Sequence, residues 1–401
     1  MFYYLMHKKE IVARFFLDEN DAFAKPKNIQ INEKNEHYMP IGARMNNVKF
    51  IEWWNDRAIP KTRQGADDAL KRLGLPSTMS ALINNLALSL NDCYWIKPEN
   101  EDFDWDEVNL YTNDFSDLFG ELTFNKDYEI DLRKQTSFLR SVTTQGEVQK
   151  KWCIDSDKRR FLVKGNYDLS YQQSINEIFA SSIHERQDRK DYTEYYFAKI
   201  LLRDNVEGLG CYCYNYCNEN IESISAWEML QTLKIRMNES LYHPFKKVCL
   251  DFGLSEEYFD GYMDYLILSD FLITNTDRHM NNISLLRDAN SLKFIGFAPI
   301  YDSGNSMFFR IPTEGLFYAK PGQDKISSFI TSKEVNMLKY VKNRKALNLD
   351  KVFTDFSVYE KDIEERRVRI EPMKRLFYRK MEMINEFQKG KDIWKNVKYL
   401  N

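Results

Sequence analysis

The spacing of apolar residues divides this chain into a strand-like part and a helical part. Between Ser141 and Asn218, short alternating runs predict strands, and Trp152–Ile154 and Arg160–Lys164 are joined by a turn. A helix interrupts them, because four apolar residues follow at helical spacing: Ile175, Ile178, Phe179 and Ile183. The spacing then becomes helical, and Tyr258–Ile273 is apolar around enough of its circumference to predict a largely buried helix.

Three further segments complete the pattern. Phe2–Leu17 predicts a hairpin, residues 25–39 predict a loop, and residues 59–91 predict a mostly helical stretch. A late stripe at helical spacing indicates core packing: Ile370, Met373, Phe377, Met381 and Ile384. The predicted class is therefore α+β, and three domains follow from it: an α+β module over 1–125, a strand-rich lobe over 126–220 and a helical lobe over 221–401.

Composition limits the kinds of partner that this protein attracts. Lys and Arg total 57 and Asp and Glu total 60, so the net charge of −3 gives no overall attraction to nucleic acid or membranes. The longest apolar segment, Tyr262–Ile273, is interrupted by Asp264 and Asp270, and no secretory signal is recognisable. We therefore expect a cytoplasmic protein that contacts neither nucleic acid nor membrane directly.

A group of cysteines resembles a metal site only superficially. Cys211, Cys213 and Cys217 are spaced C-x-C-x₃-C, without a paired C-x₂-C motif and without a neighbouring histidine, so they fit a zinc site poorly. The same residues alternate as they would in a strand. The sequence therefore predicts a buried strand here instead of a metal centre.

Four polar residues follow the buried helix in an order that indicates catalysis. Asp277, His279 and Asn282 form the pattern D-x-H-x-x-N, and Asp302 ends an apolar run before Ser-Gly. Residues 283–297 predict a hairpin, which would bring Asp302 back to Asn282. Taken singly, each of these residues could be an ordinary turn residue, but their combined order favours a catalytic function.

The residue types suit phosphoryl transfer. That reaction needs a carboxylate that orients the attacking hydroxyl and accepts its proton, and oxygen ligands for a Mg²⁺ ion shared with substrate phosphates. Asp277 fits the first requirement, and Asn282 and Asp302 fit the second. We expect His279 to pack and hydrogen-bond within the loop, whereas Arg278 could pair either with a phosphate or with a carboxylate.

Residues 141–330 resemble the HipA-like kinases and, more distantly, the phosphatidylinositol-3/4-kinase group. Both share an Asp-x-His-x-x-Asn loop followed by a metal-binding aspartate, and Ser89–Pro98 is similar to the accessory module of stand-alone HipA-like proteins. The resemblance implies a two-lobed protein-kinase-like fold that uses ATP and Mg²⁺. It also implies phosphorylation of Ser or Thr in a protein substrate and, in toxin members, growth arrest and a possible antitoxin-like partner.

The resemblance also assigns roles by position. Lys164 matches the lysine that pairs with the α- and β-phosphates, and Glu177 matches the carboxylate that orients it, with Glu185 as the alternative. Gly146 belongs to the loop that would cover the phosphates, and Ser141 is the candidate for autophosphorylation. Three residues between the lobes are assigned to adenine by their order along the chain: Tyr216, Cys217 and Asn218.

Three other functions stay open: a lipid or small-molecule kinase, a nucleotide-binding pseudokinase, and a DNA-binding regulator. The basic residues between 305 and 335 are dispersed, which disfavours a membrane-facing lipid kinase. The presence of Lys164, Asp277 and Asp302 disfavours a pseudokinase. Residues 57–72 mix basic with acidic side chains and show no recognition-helix signature, which disfavours DNA binding.

Overall fold

The structure is a computed structural model, and it describes residues 1–18, 23–125, 128, 146–202, 206–234, 240–360 and 364–395. The autophosphorylation candidate Ser141 lies outside these residues, as does the first predicted domain boundary after residue 125. The second boundary, after residue 220, stays a prediction.

The chain begins with a four-stranded antiparallel sheet in the order β3-β2-β1-β4. Its strands are β1 (Phe2–His7), β2 (Glu10–Phe16), β3 (Lys27–Ile31) and β4 (Tyr94–Pro98). Strands β1 and β2 form the predicted hairpin, but β3 lies where a loop was predicted. The side chains of β3 are mostly exposed, so this edge strand pairs through its backbone and no apolar alternation marks it.

The described residues of the N-terminal module also form α1 (Asn47–Asp56), α2 (Ala66–Leu73), α3 (Thr78–Asn84), α4 (Trp105–Val108) and α5 (Leu118–Phe124). Helix α2 ends at Gly74, whose φ of +65° is the left-handed conformation that glycine adopts without a steric penalty. Helix α3 begins after Ser77, whose hydroxyl accepts a hydrogen bond from Ser80 N. Bulky aromatic side chains fill the core of the module: Phe15, Phe50, Trp54 and Trp95.

The next lobe is an antiparallel sheet in the order β5-β6-β8-β7 with one long helix against it. Its elements are β5 (Lys150–Ile154), β6 (Arg160–Lys164), α6 (Gln172–Arg186), β7 (Tyr196–Leu201) and β8 (Glu207–Tyr214). Cys211 and Cys213 are buried on β8, as their alternation predicted, but the strand ends at Tyr214, so the prediction that it includes Cys217 is wrong.

The rest of the chain is mainly helical around a small antiparallel sheet in the order β11-β10-β9. Its strands are β9 (Ile221–Ser225), β10 (Ser284–Asp288) and β11 (Phe294–Phe297), and β10 and β11 form the predicted hairpin. Its helices are α7 (Ala226–Leu230), α8 (Tyr242–Asp251), α9 (Glu256–Ile273), α10 (Thr313–Leu316) and α11 (Glu364–Gln388).

Short 3₁₀ segments connect these elements: Glu33–Tyr38, Ile41–Ala43, Met280–Asn282, Glu334–Tyr340, Leu349–Lys351, Phe356–Tyr359 and Ile393–Lys395.

Helix α9 is the centre of the helical lobe. Its residues from Tyr262 to Ile273 are all buried, as the sequence predicted. The apolar stripe of α11 packs into the same core, with Phe377 and Ile384 fully buried. The predicted α+β class, with a strand-rich lobe, a helical lobe and a preceding module, is confirmed. Within the described residues, no helix combines the length and apolar composition needed to span a membrane.

A buried polar network joins the N-terminal module to the small sheet of the helical lobe. Glu222 on β9 accepts hydrogen bonds from Arg287 Nη2 at 2.6 Å and from Cys93 N at 2.8 Å, and His7 Nε2 lies 3.0 Å from its Oε1. Arg287 also donates to the Tyr94 hydroxyl at 3.1 Å. Burial alone would raise the pKa of Glu222, but Arg287 and His7 outweigh it and lower that pKa to about 2.

We expect Glu222→Gln to remove a pH-dependent part of the stability. Because the pKa of Glu222 falls on folding from 4.5 to about 2, its charge stabilises the fold above pH 4.5, and that contribution is lost as the pH drops towards 2. In urea unfolding, the wild type should lose about 3 kcal/mol more than the variant across this window.

Glu207→Gln is the matched control, since Glu207 forms an exposed ion pair with Lys199. Its unfolding free energy should follow that of the wild type within about 0.5 kcal/mol at every pH. Parallel pH curves for wild type and Glu222→Gln would contradict the assigned ionisation.

Candidate active site

The end of helix α9 fixes the start of the D-x-H-x-x-N loop. Thr274 ends the helix in the left-handed conformation with φ of +53°. Asn275 then donates to Asp270 Oδ1 at 2.9 Å and accepts the Asp277 N–H at 3.0 Å. The backbone of Asp277 is therefore tied to a buried helix within one turn, which restricts where its carboxylate can lie.

Arg278 holds the two halves of the site together. It is almost fully buried, and it binds the Asp270 carboxylate through Nε at 2.9 Å and Nη2 at 3.1 Å. Its Nη1 donates both to the carbonyl of Asn282, at 3.0 Å, and to the carbonyl of Tyr301. Of the two partners left open by the sequence, Arg278 thus pairs with a carboxylate, and it keeps Asn282 next to the segment that carries Asp302.

The side-chain amide of Asn305 orients the Asp277 carboxylate. Asn305 Nδ2 donates to Asp277 Oδ2 at 2.7 Å, and Asn305 Oδ1 in turn accepts from Gln173 Nε2 at 2.9 Å. Arg310 Nη2 lies 4.0 Å from the same carboxylate, which is 22% exposed. Asp277 is thus fixed in direction and partly exposed to the cleft.

His279 has a local role. Its Nδ1 accepts the Asn281 N–H at 3.2 Å and so caps the short 3₁₀ segment Met280–Asn282. This matches the expectation that it hydrogen-bonds within the loop.

Lys164, at the end of β6, links three elements of the fold. Its Nζ donates to Glu177 Oε1 on α6 at 2.8 Å, to the Tyr195 hydroxyl at 2.9 Å and to Asp302 Oδ1 at 3.0 Å. The side chains of Lys164 and Glu177 are only 7% and 3% exposed, whereas that of Asp302 is 33% exposed. The lysine–glutamate pair is therefore shielded from solvent, and the Asp302 side chain is partly exposed.

Both Lys164 and Asp302 are held in their charged forms. Burial alone would lower the pKa of Lys164, but Asp302 and Glu177 outweigh it and raise that pKa well above its usual value. Burial would likewise raise the pKa of Asp302, but Lys164 and Lys150 hold it far below its usual range. At neutral pH the site thus presents an ionised carboxylate beside buried ammonium groups.

Helix α6 fixes the turn that follows Asp302. Asp302 itself has a φ of +59°, a left-handed conformation that aspartate tolerates better than most residues. The Ser303 N–H donates to Glu177 Oε2 at 2.8 Å. Asn176 Nδ2 donates to the carbonyls of both Gly304 and Ser306 at 2.8 Å, and Gln172 Nε2 donates to Met307 O at 2.9 Å. The strained aspartate is therefore supported on the side that faces α6.

Asn282 and Asp302 carry oxygen donors of the kind that Mg²⁺ prefers. Asn282 Nδ2 donates to Asp277 O at 2.8 Å, which leaves the amide oxygen as the group to bind a cation. Among the described residues, no three His, Cys, Asp or Glu side chains gather in one place to form a metal site of their own. One ionised carboxylate and one amide fit Mg²⁺, which binds few protein ligands when substrate phosphates complete its shell.

The site opens into a cleft of about 1540 Å³. The cleft includes seven of the residues assigned from sequence: Gly146, Lys164, Glu177, Tyr216, Asp277, Asn282 and Asp302. Cys217 and Asn218 lie outside this lining. Cys217 is buried in the core of the N-terminal module, and its N–H donates to Asn215 Oδ1 at 3.0 Å. Asn218 is exposed and accepts the Asn220 N–H in a tight turn.

The N-terminal module is hydrogen-bonded to residues 146–149, which belong to the loop that the sequence predicts to cover the phosphates. Arg63 Nε donates to the Gly146 carbonyl at 3.1 Å, and Gln64 N donates to the Glu147 carbonyl at 2.8 Å. Gln149 Nε2 donates to Thr123 O at 2.7 Å. Residues 146–149 are thus fixed by a part of the chain that the sequence placed in a separate domain.

Sequence reasoning missed three residues of the cleft. Asn305 is the residue directly after the Asp-Ser-Gly motif, and the predicted catalytic pattern stopped at that motif. Tyr195 lies in a segment whose sequence indicated only a strand. Lys150 could have been found from the hairpin, because the turn at residues 155–158 places it opposite Lys164.

No protein-family model matches this chain, and no curated protein matches it in sequence. Solved structures to which this chain is similar include the Helicobacter pylori proinflammatory kinase CtkA, with 13% identity and a TM-score of 0.46 over 60% of this chain and 95% of that chain. Another is the golgi casein kinase, with 10% identity and a TM-score of 0.30 over 62% of this chain and 72% of that chain. Neither TM-score reaches 0.5, so the HipA-like family stays a prediction and function rests on the cleft itself.

We expect Arg278→Lys to destabilise the protein by about 2–3 kcal/mol, because an ammonium group cannot replace the forked hydrogen bonds of a buried guanidinium. Thermal or urea unfolding would measure this. Arg310→Lys, at an exposed guanidinium beside the same loop, should change stability by less than about 0.5 kcal/mol. Equal effects of the two substitutions would show that Arg278 does not hold the site together.

Proposed function

We propose that this chain is an ATP- and Mg²⁺-dependent phosphotransferase of the HipA-like kind, which transfers the γ-phosphate to a Ser or Thr hydroxyl of a protein. The observation that carries the proposal is the position of Lys164 Nζ, within 3.0 Å of both Glu177 and Asp302. This links the strand-rich lobe to the turn that follows β11, in a cleft that also contains Asp277 and Asn282.

Each of these residues has a distinct part in the proposal. Lys164 would neutralise the phosphate chain, since a cation in a poorly hydrated cleft offsets phosphate charge strongly. Asn282 and Asp302 would hold Mg²⁺, which supplies charge stabilisation to the transferred phosphoryl group. Asp277 would receive the proton of the acceptor hydroxyl at its carboxylate, in the orientation that Asn305 sets.

The proposal also includes an acceptor class and a position for the nucleotide base. A Ser or Thr acceptor follows from the resemblance of residues 277–302 to the HipA-like pattern. For adenine, Tyr216 is the assigned residue that lines the cleft, and its ring lies 6.2 Å from that of Tyr301. A wall of aromatic rings suits a flat purine base.

We expect Asp277→Asn to lower phosphoryl transfer by about 10²- to 10⁴-fold, because the amide cannot accept the hydroxyl proton. The measurement is transfer of label from γ-labelled ATP, with Mg²⁺, to the protein itself and to casein, histone and myelin basic protein. Asp157→Asn, at an exposed turn residue, should transfer at the wild-type rate.

Unchanged transfer by Asp277→Asn would refute its role as the base. A wild type that binds ATP and Mg²⁺ but transfers no label would instead support the pseudokinase alternative.

We expect Asp302→Asn to remove the effect of Mg²⁺ on ATP affinity, since the neutral amide loses the charge that attracts the ion. Titration calorimetry with ATP, in Mg²⁺ and in EDTA, would measure this. The wild type should bind ATP at least about tenfold more tightly with Mg²⁺, and the variant should bind it equally in both buffers. A Mg²⁺ effect of wild-type size in the variant would contradict the metal assignment.

A further inference from the structure

Basic residues that are dispersed in the sequence come together in the segment that follows Asp302. Lys325 and Lys333 are partners in a short antiparallel bridge, beside which Ile326 N donates to Ser332 O at 3.2 Å. Residues paired in this way project from the same face, and both lysines are exposed. Two ammonium groups thus lie side by side on the surface, where like charges repel each other.

The exposed charges of residues 310–333 are mostly positive. In this segment, which is described throughout, Glu314 is the one exposed acidic residue, whereas four basic residues are exposed: Arg310, Lys320, Lys325 and Lys333. Within the described part of the chain, none of the three lysines forms an ion pair with a carboxylate. This part of the surface therefore has an excess of positive charge that a bound molecule can neutralise.

The neighbouring carboxylates are directed into the protein. Glu334 directly follows Lys333, but it is fully buried and accepts a hydrogen bond from the equally buried Lys380 of α11. Asp324 directly precedes Lys325, and its Oδ2 is buried as well. The local acidic side chains are thus used in the interior, and the exposed lysines beside them are available to another molecule.

The same surface adjoins the side of the cleft that contains Asp277. Ser327 N donates to Thr276 O at 2.8 Å, and Thr276 is the residue directly before Asp277. Arg310 Nη2 lies 4.0 Å from the Asp277 carboxylate, and the Arg310 side chain is 61% exposed. Both ends of the basic segment therefore lie near the carboxylate that would receive the proton of the acceptor hydroxyl.

We propose that residues 310–333 bind acidic side chains of the acceptor protein, so that the enzyme selects Ser or Thr residues with Asp or Glu in the flanking sequence. This deepens the proposed function and rests on it. Exposed ion pairs are each worth only a few-fold in affinity, so two or three of them together would give a preference of about tenfold. Because the net charge of the chain is −3, a local basic patch suits a short acidic sequence better than an extended anionic membrane.

Two peptides that differ only in charge test this, each with one Ser acceptor, flanked by Glu residues in one peptide and by Gln residues in the other. The measured quantity is the ratio of kcat/KM for the Glu peptide to kcat/KM for the Gln peptide, with γ-labelled ATP and Mg²⁺. We expect a ratio of at least about 10 for the wild type and of about 1–2 for Lys325→Gln/Lys333→Gln. The matched control, Lys293→Gln/Lys345→Gln, removes the same charge at two other exposed lysines and should keep the wild-type ratio.

Salt provides a second measurement that needs no variant. Raising NaCl from about 50 mM to about 500 mM should lower the wild-type ratio several-fold, because salt screens exposed charges. If Lys325→Gln/Lys333→Gln does not fold, an unchanged wild-type ratio at high salt overturns the inference instead.

The outcomes separate this inference from the proposed function. Equal turnover of both peptides by an active wild type overturns the inference and leaves the proposed function standing. A wild-type ratio in Lys325→Gln/Lys333→Gln overturns the assignment to these two lysines. Transfer to phosphatidylinositol vesicles and to neither peptide overturns both proposals, as does a wild type that transfers phosphate to no acceptor.

Discussion

The interaction on which the site depends is the set of hydrogen bonds made by one ammonium group, that of Lys164. It binds Glu177 from α6 and Asp302 from the turn after β11, and so connects the two lobes at a single atom. A buried lysine–glutamate pair is costly to desolvate. Here the lysine also binds Asp302, whose left-handed backbone requires support from the surrounding structure.

The N-terminal module makes direct hydrogen bonds to residues at this cleft. It holds the carbonyls of Gly146 and Glu147, and it surrounds Glu222 at the start of the helical lobe. Two distant parts of the chain are thus fixed against the same small domain. Because His7 and Cys93 of the module bind the buried carboxylate of Glu222, separating the module from the helical lobe would leave that charge without these partners, and the two are expected to move together.

The sequence predicted most elements because their hydrophobic periodicity is strong. Helix α9, the hairpin of β10 and β11 and the strands around Lys164 all follow from it, whereas the exposed strand β3 does not, since its pairing uses the backbone alone. In the cleft, Asp277, Asn282 and Asp302 were found because a motif spaces them. Asn305 and Tyr195 depend on contacts between segments that are distant in the sequence, which no local pattern encodes.

Helix α6 is attached to the turn after Asp302 by four neighbouring side chains: Gln172, Gln173, Asn176 and Glu177. Their partners are mostly backbone groups, which no phosphorylation or partner can remove. A helix held at four positions is harder to displace than a helix held by a single ion pair. We therefore expect α6 and the turn that carries Asp302 to keep the same relative arrangement whether the cleft is empty or occupied.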